Sequence, residues 1–170
     1  MRRDALLLHS SVVEINGYTI LFSGPSEIGK STQAGLWKKY LGAEVINGDR
    51  CVIRRKDGVF WGSGSPWCGS SGIYQQKQAP IKGIFILKRA SQNSVRRLGI
   101  EAFKSMFHQC IVNTWDTDFM KKISDLLIEL LAECPVYELA CRPEKEAVEL
   151  AYHTLFERGI LDGMGDKCSD

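Results

Sequence analysis

An α/β core followed by a helical C-terminal portion is the fold class this sequence predicts, on three observations. A nearly continuous apolar run, residues 18–22, leads into a loop rich in Gly, Ser and Pro and then into a segment of helical composition. Continuous apolar runs mark strands buried on both faces. Two tight-turn dipeptides, Asn16-Gly17 and Asp57-Gly58, stand between β-prone runs, as hairpins require, because these residues tolerate φ > 0. Residues 100–112 and 118–132 carry apolar side chains at three- and four-residue spacing, the pattern of helices with one buried face.

In chain order, residues 5–8 and 12–15 are short β-prone runs, and Asn16-Gly17 turns the second into the strand at 18–22. Residues 23–29 form a loop. Residues 30–40 predict a helix whose inner side is Ala34, Leu36, Trp37 and Tyr40, stopped by Gly42. Residues 44–46 predict a second short central strand, ending at Asn47-Gly48-Asp49. Runs at 51–54 and 59–61 flank the Asp57-Gly58 turn. A long Gly/Ser-rich loop follows at 62–72, a candidate to cover a bound ligand or grip an acceptor with Trp67 as an exposed apolar anchor, the plain alternative being a surface loop with a buried Trp; then comes a β-prone run at 81–87, broken by Lys82 and Gly83. A short strand is predicted at 136–139. Pro143 suits the first position of the last helix, with Glu144 and Glu146 in its first turn and an end near Phe156. One domain is expected over 1–160, with a frayed Gly- and Asp-rich tail at 161–170.

Composition excludes several classes. The chain has 170 residues, 44% hydrophobic and 25% charged, enough to bury a core. No apolar run approaches the roughly 18 residues that cross a bilayer, and the run at 5–8 is too short for a signal peptide. The expectation is a cytoplasmic protein with no membrane partner. Basic and acidic side chains number 22 and 20, a net charge of +2, which gives no electrostatic case for nucleic acid. The six cysteines form no CxxC pair and no zinc-like cluster, so free thiols, mostly buried, are expected.

The strongest chemical signal is Gly24-Pro25-Ser26-Glu27-Ile28-Gly29-Lys30-Ser31-Thr32, which fits G-x-x-x-x-G-K-[ST] between a strand and a helix. Gly24 and Gly29 allow turns that aim successive N–H groups into one concavity. The helix that follows points its positive end at the same place. Lys30 supplies a compact cation for the β/γ-phosphates, and the Ser31 hydroxyl a ligand for Mg2+. Nucleotide binding follows, with ATP or another nucleoside triphosphate as the ligand. Asp49 is the candidate acid, as metal ligand, water ligand or base; the plain alternative for Asn47-Gly48-Asp49 is a turn.

These features together resemble the P-loop domain of HPr kinase/phosphorylase, among the phosphoenolpyruvate-carboxykinase-like P-loop proteins. The resemblance spans about residues 9–87: His9 on a strand ahead of the P-loop with a hairpin between, the P-loop itself, then the strand ending in Asn47-Gly48-Asp49, with Ser71-Gly72-Ile73 similar to a later family signature. It implies a mixed-sheet α/β core, ATP and Mg2+, phosphoryl transfer to a serine hydroxyl, and a homo-oligomer. His9 would lie close to the transferred phosphate, Lys30 and Ser31 would hold phosphate and metal, and Asp49 would take the acidic role. The sequence departs from the family in two places. Gly48-Asp49 stands where the family shows two adjacent acids, and Ser65-Pro66-Trp67-Cys68-Gly69 offers no later acidic metal ligand. With no additional N-terminal domain in this sequence, the acceptor is expected to differ from HPr: a hydroxyl of a protein, a peptide or a small molecule. A catalytically weak nucleotide-binding regulatory or scaffolding protein is the alternative.

Other charged residues carry less. Arg50, Arg54 and Arg55 follow Asp49 and read as a solvated strand face, with one of them a candidate to neutralise phosphoryl charge. Arg142, beside Pro143, is a weaker candidate for nucleotide contact.

Overall fold

The computed structural model describes residues 5–112 and 114–157. Eight strands form one mixed sheet: β1 (Ala5–Ile15), β2 (Tyr18–Ser23), β3 (Glu44–Asn47), β4 (Arg50–Lys56), β5 (Val59–Gly64), β6 (Gln78–Arg89), β7 (Ser94–Arg97) and β8 (Val136–Cys141). Four helices accompany them: α1 (Lys30–Leu41), α2 (Ala102–Phe107), α3 (Thr117–Glu133) and α4 (Lys145–Phe156). The strands run in the order β2-β1-β4-β5-β6-β8-β7, and β2 also pairs with β6. β2, β6 and β8 are mutually parallel neighbours, so their carboxyl ends share one edge of the sheet. The 24–31 loop leaves from that edge.

Each face of the sheet carries its own core. Leu6, Leu8, Val12, Leu21 and Ile84 pack with Met106 of α2 and Ile123, Leu127 and Leu130 of α3. Val13, Ile20, Phe22 and Phe85 pack with Trp37 of α1 and Val148, Ala151 and Leu155 of α4. Burial on both faces from Thr19 onward explains why 18–22 reads as a nearly continuous apolar run. At Gly83 a Cβ would come within 2.4 Å of Leu155 Cδ2, so α4 lies against β6 where the side chain is missing.

Both predicted hairpin turns form. Asn16 and Gly17 (φ 53° and 79°) join β1 to β2, and Asp57 and Gly58 (φ 53° and 77°) join β4 to β5. Gly42 ends α1 in the left-handed conformation, φ 69°.

Several boundaries differ from the sequence reading, each for a tertiary reason. The runs at 5–8 and 12–15 are one strand. Ser10 and Ser11 are fully buried between them, and the Ser11 hydroxyl donates to the Gly48 carbonyl at 2.9 Å. β3, expected as a central strand, pairs with β1 alone, and its outer side is met by Gln75 N–H on the Ile46 carbonyl at 2.9 Å. β3 and β4 line one edge of β1 in succession, with Gly48-Asp49 as the break between them.

The helix expected over 100–112 ends at Phe107 because the next residues are drawn against β1. β2 pairs β1 only from Ser10 onward. The free edge before it is satisfied by His9 N–H on the Gln109 carbonyl and Ile111 N–H on the Leu7 carbonyl, both 2.8 Å. β7, not anticipated, is a short exposed edge strand whose Arg96 pairs with Glu101 and Glu138. Pro143 stands two residues before α4 rather than opening it.

Cys51, Cys110 and Cys134 are buried, and burial pushes each thiol up to about 12. Cys168 and the tail at 161–170 lie outside the described residues. No helix among the described residues is long and apolar enough to cross a membrane.

Candidate functional site

The loop between β2 and α1 has a backbone that its sequence explains in part. Gly24 (φ 142°) and Gly29 (φ 115°) adopt conformations open to glycine. A Cβ at Gly24 would also meet Ile28 Cγ2 at 3.2 Å. Glu27 holds φ 64° without that freedom, a strained choice for a side chain with a Cβ. α1 then starts at Lys30 with no side-chain cap and no acid in its first turn. Its orphan N–H groups and positive dipole end are left for an anion.

Lys30 is 7% exposed, and its ammonium donates to the Gly24 and Pro25 carbonyls at 3.0 and 2.8 Å. It is therefore held inside the loop it was expected to serve. Burial pushes its pKa down, and the Asp49 carboxylate opposes that shift. Beside it, the Ser31 hydroxyl donates to the Gly48 carbonyl at 3.2 Å.

Asn47 builds the other wall. It is fully buried, and its Oδ1 accepts from the backbone N–H groups of Asp49 and Arg50, both at 2.8 Å. Its Nδ2 donates to the Ser65 carbonyl at 2.7 Å. The break between β3 and β4 thus has a defined shape, and Asp49 projects from it. The β1–β4 register sets His9 opposite Arg50. His9 Nε2 then stands 3.2 Å from Asp49 Oδ1, and Arg50 Nε donates to Oδ2 at 3.1 Å. The carboxylate has a partner on each oxygen and retains lone pairs on both.

Burial, with the Lys30 ammonium behind it, pushes the His9 imidazole below its ordinary 6.5; the Asp49 carboxylate offsets this only in part. His9 is therefore neutral at pH 7. The unfolded chain takes the proton first as pH falls, so the stability that neutral His9 contributes is complete above pH 6.5 and is lost as pH falls through its lowered folded value. An NMR titration of the imidazole is expected to give a midpoint below 6.5. A midpoint at or above that value would contradict this electrostatic picture.

His9, Lys30, Ser31, Asp49, Ser70 and Ser71 all line one cleft of about 350 Å³, together with Ser26, Glu27, Gly29, Thr32 and Gly48. Of the residues singled out in the sequence, Gly24 and Pro25 lie behind the cleft as the acceptors for Lys30, and Ile28 faces a neighbouring crevice. The 62–72 segment divides. Its first residues belong to β5, Ser70 and Ser71 reach the cleft, and Trp67 points outward at 58% exposed. Arg55 is spent on Glu129 and Glu133 of α3, and Arg142 lines the crevice rather than the cleft.

The sequence singles out Ser70 and Ser71 only as members of the 62–72 loop, and Asn47 not at all as a functional residue. Asn47 looked like the start of a turn, and only the burial of its amide reveals the positioning role. The missing second acid also has a steric explanation. A Cβ at Gly48 would come within 2.1 Å of Ser71 Oγ and 2.7 Å of Ser71 Cβ. The turn at 69–71 occupies the space that an acidic side chain at position 48 would need.

No family model matches the chain, and no curated protein matches it. Its fold class is mixed α/β with an HPr kinase-like architecture. The similarity is to the solved structure of the HPr(Ser) kinase/phosphatase from Coxiella burnetii, at 13% sequence identity and a TM-score of 0.52. It covers 94% of this chain and 93% of that one. The likeness is therefore one of fold, and it runs well past the residues 9–87 on which the sequence resemblance rests.

Proposed function

We propose that the protein is an ATP- and Mg2+-dependent phosphotransferase that moves the γ-phosphoryl group to a hydroxyl, of a serine in a protein or peptide or of a small molecule. The observation that carries this reading is the convergence of Lys30, Ser31, His9 and Asp49 on one cleft at the end of the Gly24–Gly29 loop. The serine-directed name of the solved structure sharing this fold supports the choice of acceptor.

The loop N–H groups and the α1 terminus cradle the phosphates, and Lys30 exchanges its two carbonyl partners for phosphate oxygens. Among the described residues no cluster of three His, Cys, Asp or Glu could cage a metal alone. The Ser31 hydroxyl and Asp49 carboxylate on one wall suit an ion that takes its other ligands from phosphate and water. Ser31 and Asp49 would hold Mg2+ there, and the ion would supply charge neutralisation to the phosphates. Asp49 orients the acceptor hydroxyl and takes its proton as the acceptor oxygen bonds to the γ-phosphorus and the bond to the β,γ-bridging oxygen breaks, releasing the nucleoside diphosphate. Neutral His9 and Arg50 hold the carboxylate in place. So few groups suffice because phosphoryl transfer depends mainly on positioning and charge stabilisation.

The test is incubation with γ-labelled ATP, Mg2+ and serine-containing peptides or small alcohols. Label is expected on an acceptor, or in released phosphate when none is present. Neither product, with nucleotide binding intact by calorimetry, would leave the second reading: a nucleotide-binding regulatory or scaffolding protein. Ser71 filling the space beside Gly48 favours that second reading. No heat with any nucleoside triphosphate or with tripolyphosphate would remove both.

A further inference from the structure

We infer that the cleft phosphorylates its own chain: the Ser70 hydroxyl takes the γ-phosphoryl group of a bound nucleoside triphosphate, which makes Ser70 a self-modification site. The inference rests on the phosphotransferase reading above and names an acceptor for it. The turn at 69–71 belongs to a segment tied down at both ends. The Ser65 hydroxyl donates to the Arg50 carbonyl at 2.8 Å, Tyr74 bridges to Asn47, and Gln75 N–H donates to the Ile46 carbonyl at 2.9 Å. Between these anchors the chain crosses Gly48-Asp49 at close range. A Cβ at Gly69 would meet Asp49 Cβ at 2.9 Å and Asp49 Oδ1 at 3.3 Å, and one at Gly48 would meet Ser71 Oγ at 2.1 Å. Gly69 permits the approach to the carboxylate because it has no side chain and holds φ 56°. Gly72, at φ 64°, turns the chain again on the far side of the two serines.

That crossing brings Ser70 and Ser71 into the cleft that Lys30, Ser31 and Asp49 line. The two hydroxyls differ. Ser71 Oγ donates to the Cys68 carbonyl at 2.7 Å and accepts from Ile73 N–H at 3.3 Å, so it frames the turn. Ser70 stands at the middle of the turn, exposed, directly after the residue that lies against Asp49. Its hydroxyl has no such tie among the described residues and keeps its proton to give. A hydroxyl tethered beside the carboxylate that accepts its proton needs no encounter in solution, and holding two reactants together turns a bimolecular step into an effectively unimolecular one. In the step, Ser70 Oγ bonds to the γ-phosphorus as the bond to the β,γ-bridging oxygen breaks. The nucleoside diphosphate leaves with that electron pair, and the Ser70 proton passes to the Asp49 carboxylate.

The full chain is incubated with γ-labelled ATP and Mg2+, with and without small alcohols, then digested and mapped by mass spectrometry. A phosphoryl group is expected on Ser70. It should appear at a first-order rate that stays the same over about a tenfold range of protein concentration, as a step within one chain requires. Ser70→Ala should lose the protein-bound label, and Asp49→Asn should slow its appearance by about 10²- to 10⁴-fold. The map of the unmodified protein decides the matter even if a variant fails to fold. Label on Ser71 or on another residue in place of Ser70 overturns the assignment. A rate that rises with protein concentration overturns transfer within the chain. Label that reaches an added alcohol or free phosphate, with none on the protein, overturns the inference and leaves the phosphotransferase reading standing. ATP that keeps its label throughout overturns both.

Discussion

Asp49→Asn is expected to slow phosphoryl transfer by about 10²- to 10⁴-fold, the range for losing one positioned acid–base group. The amide is nearly the shape of the carboxylate, so the fold should persist. It accepts through one oxygen only, however, so either His9 or Arg50 loses its acceptor. It also removes the negative charge that raises the pKa of both His9 and Lys30, so both should move further down. Nucleotide affinity measured without Mg2+ should change little, because the proposed phosphate cradle draws on the loop, Lys30 and α1 and not on Asp49. Single-turnover transfer compared with calorimetric binding separates the two effects. A variant that keeps its turnover would take Asp49 out of the chemistry.

Asn47→Ala carries the largest expected effect on stability. It deletes three hydrogen bonds of 2.7–2.8 Å from a fully buried side chain. The N–H groups of Asp49 and Arg50 and the Ser65 carbonyl lose their partner together. At about 1 kcal/mol per bond the loss is roughly 3 kcal/mol, and more if the orphaned groups stay dry. For a chain of this size that lowers the melting temperature by about 6–12 °C. Turnover should fall as well, since Asp49 then projects from an unsupported break. A melting temperature within about 2 °C of the unmodified protein would show that the break between β3 and β4 holds its shape without the amide.

The parts of the candidate site that were legible in the sequence are those whose chemistry is local. Gly24 and Gly29 bracket a fixed spacing ahead of Lys30 and Ser31, and Asp49 follows a β-prone run closely. His9 was nominated only through the family resemblance, since a lone histidine in an apolar run says little. Its distance from Asp49 depends on the β1–β4 register, which is set between residues about 40 apart in the chain.

The same division holds for the fold. Turn dipeptides, the apolar run at 18–22 and the helical spacing at 118–132 follow from backbone conformation and from which faces are apolar, and these read directly from neighbouring residues. Where a strand sits in the sheet does not. The edge of β1 ahead of Ser10 lacks a strand partner on the β2 side, and its unpaired backbone groups draw in 109–111 and cut short a helix that the spacing extends to 112. Likewise the turn at 69–71 folds back over Gly48 and takes the room for a second acid. Local conformational preference is a property of a few adjacent side chains, whereas the pairing of backbone groups and the filling of space depend on segments that meet only once the chain has folded.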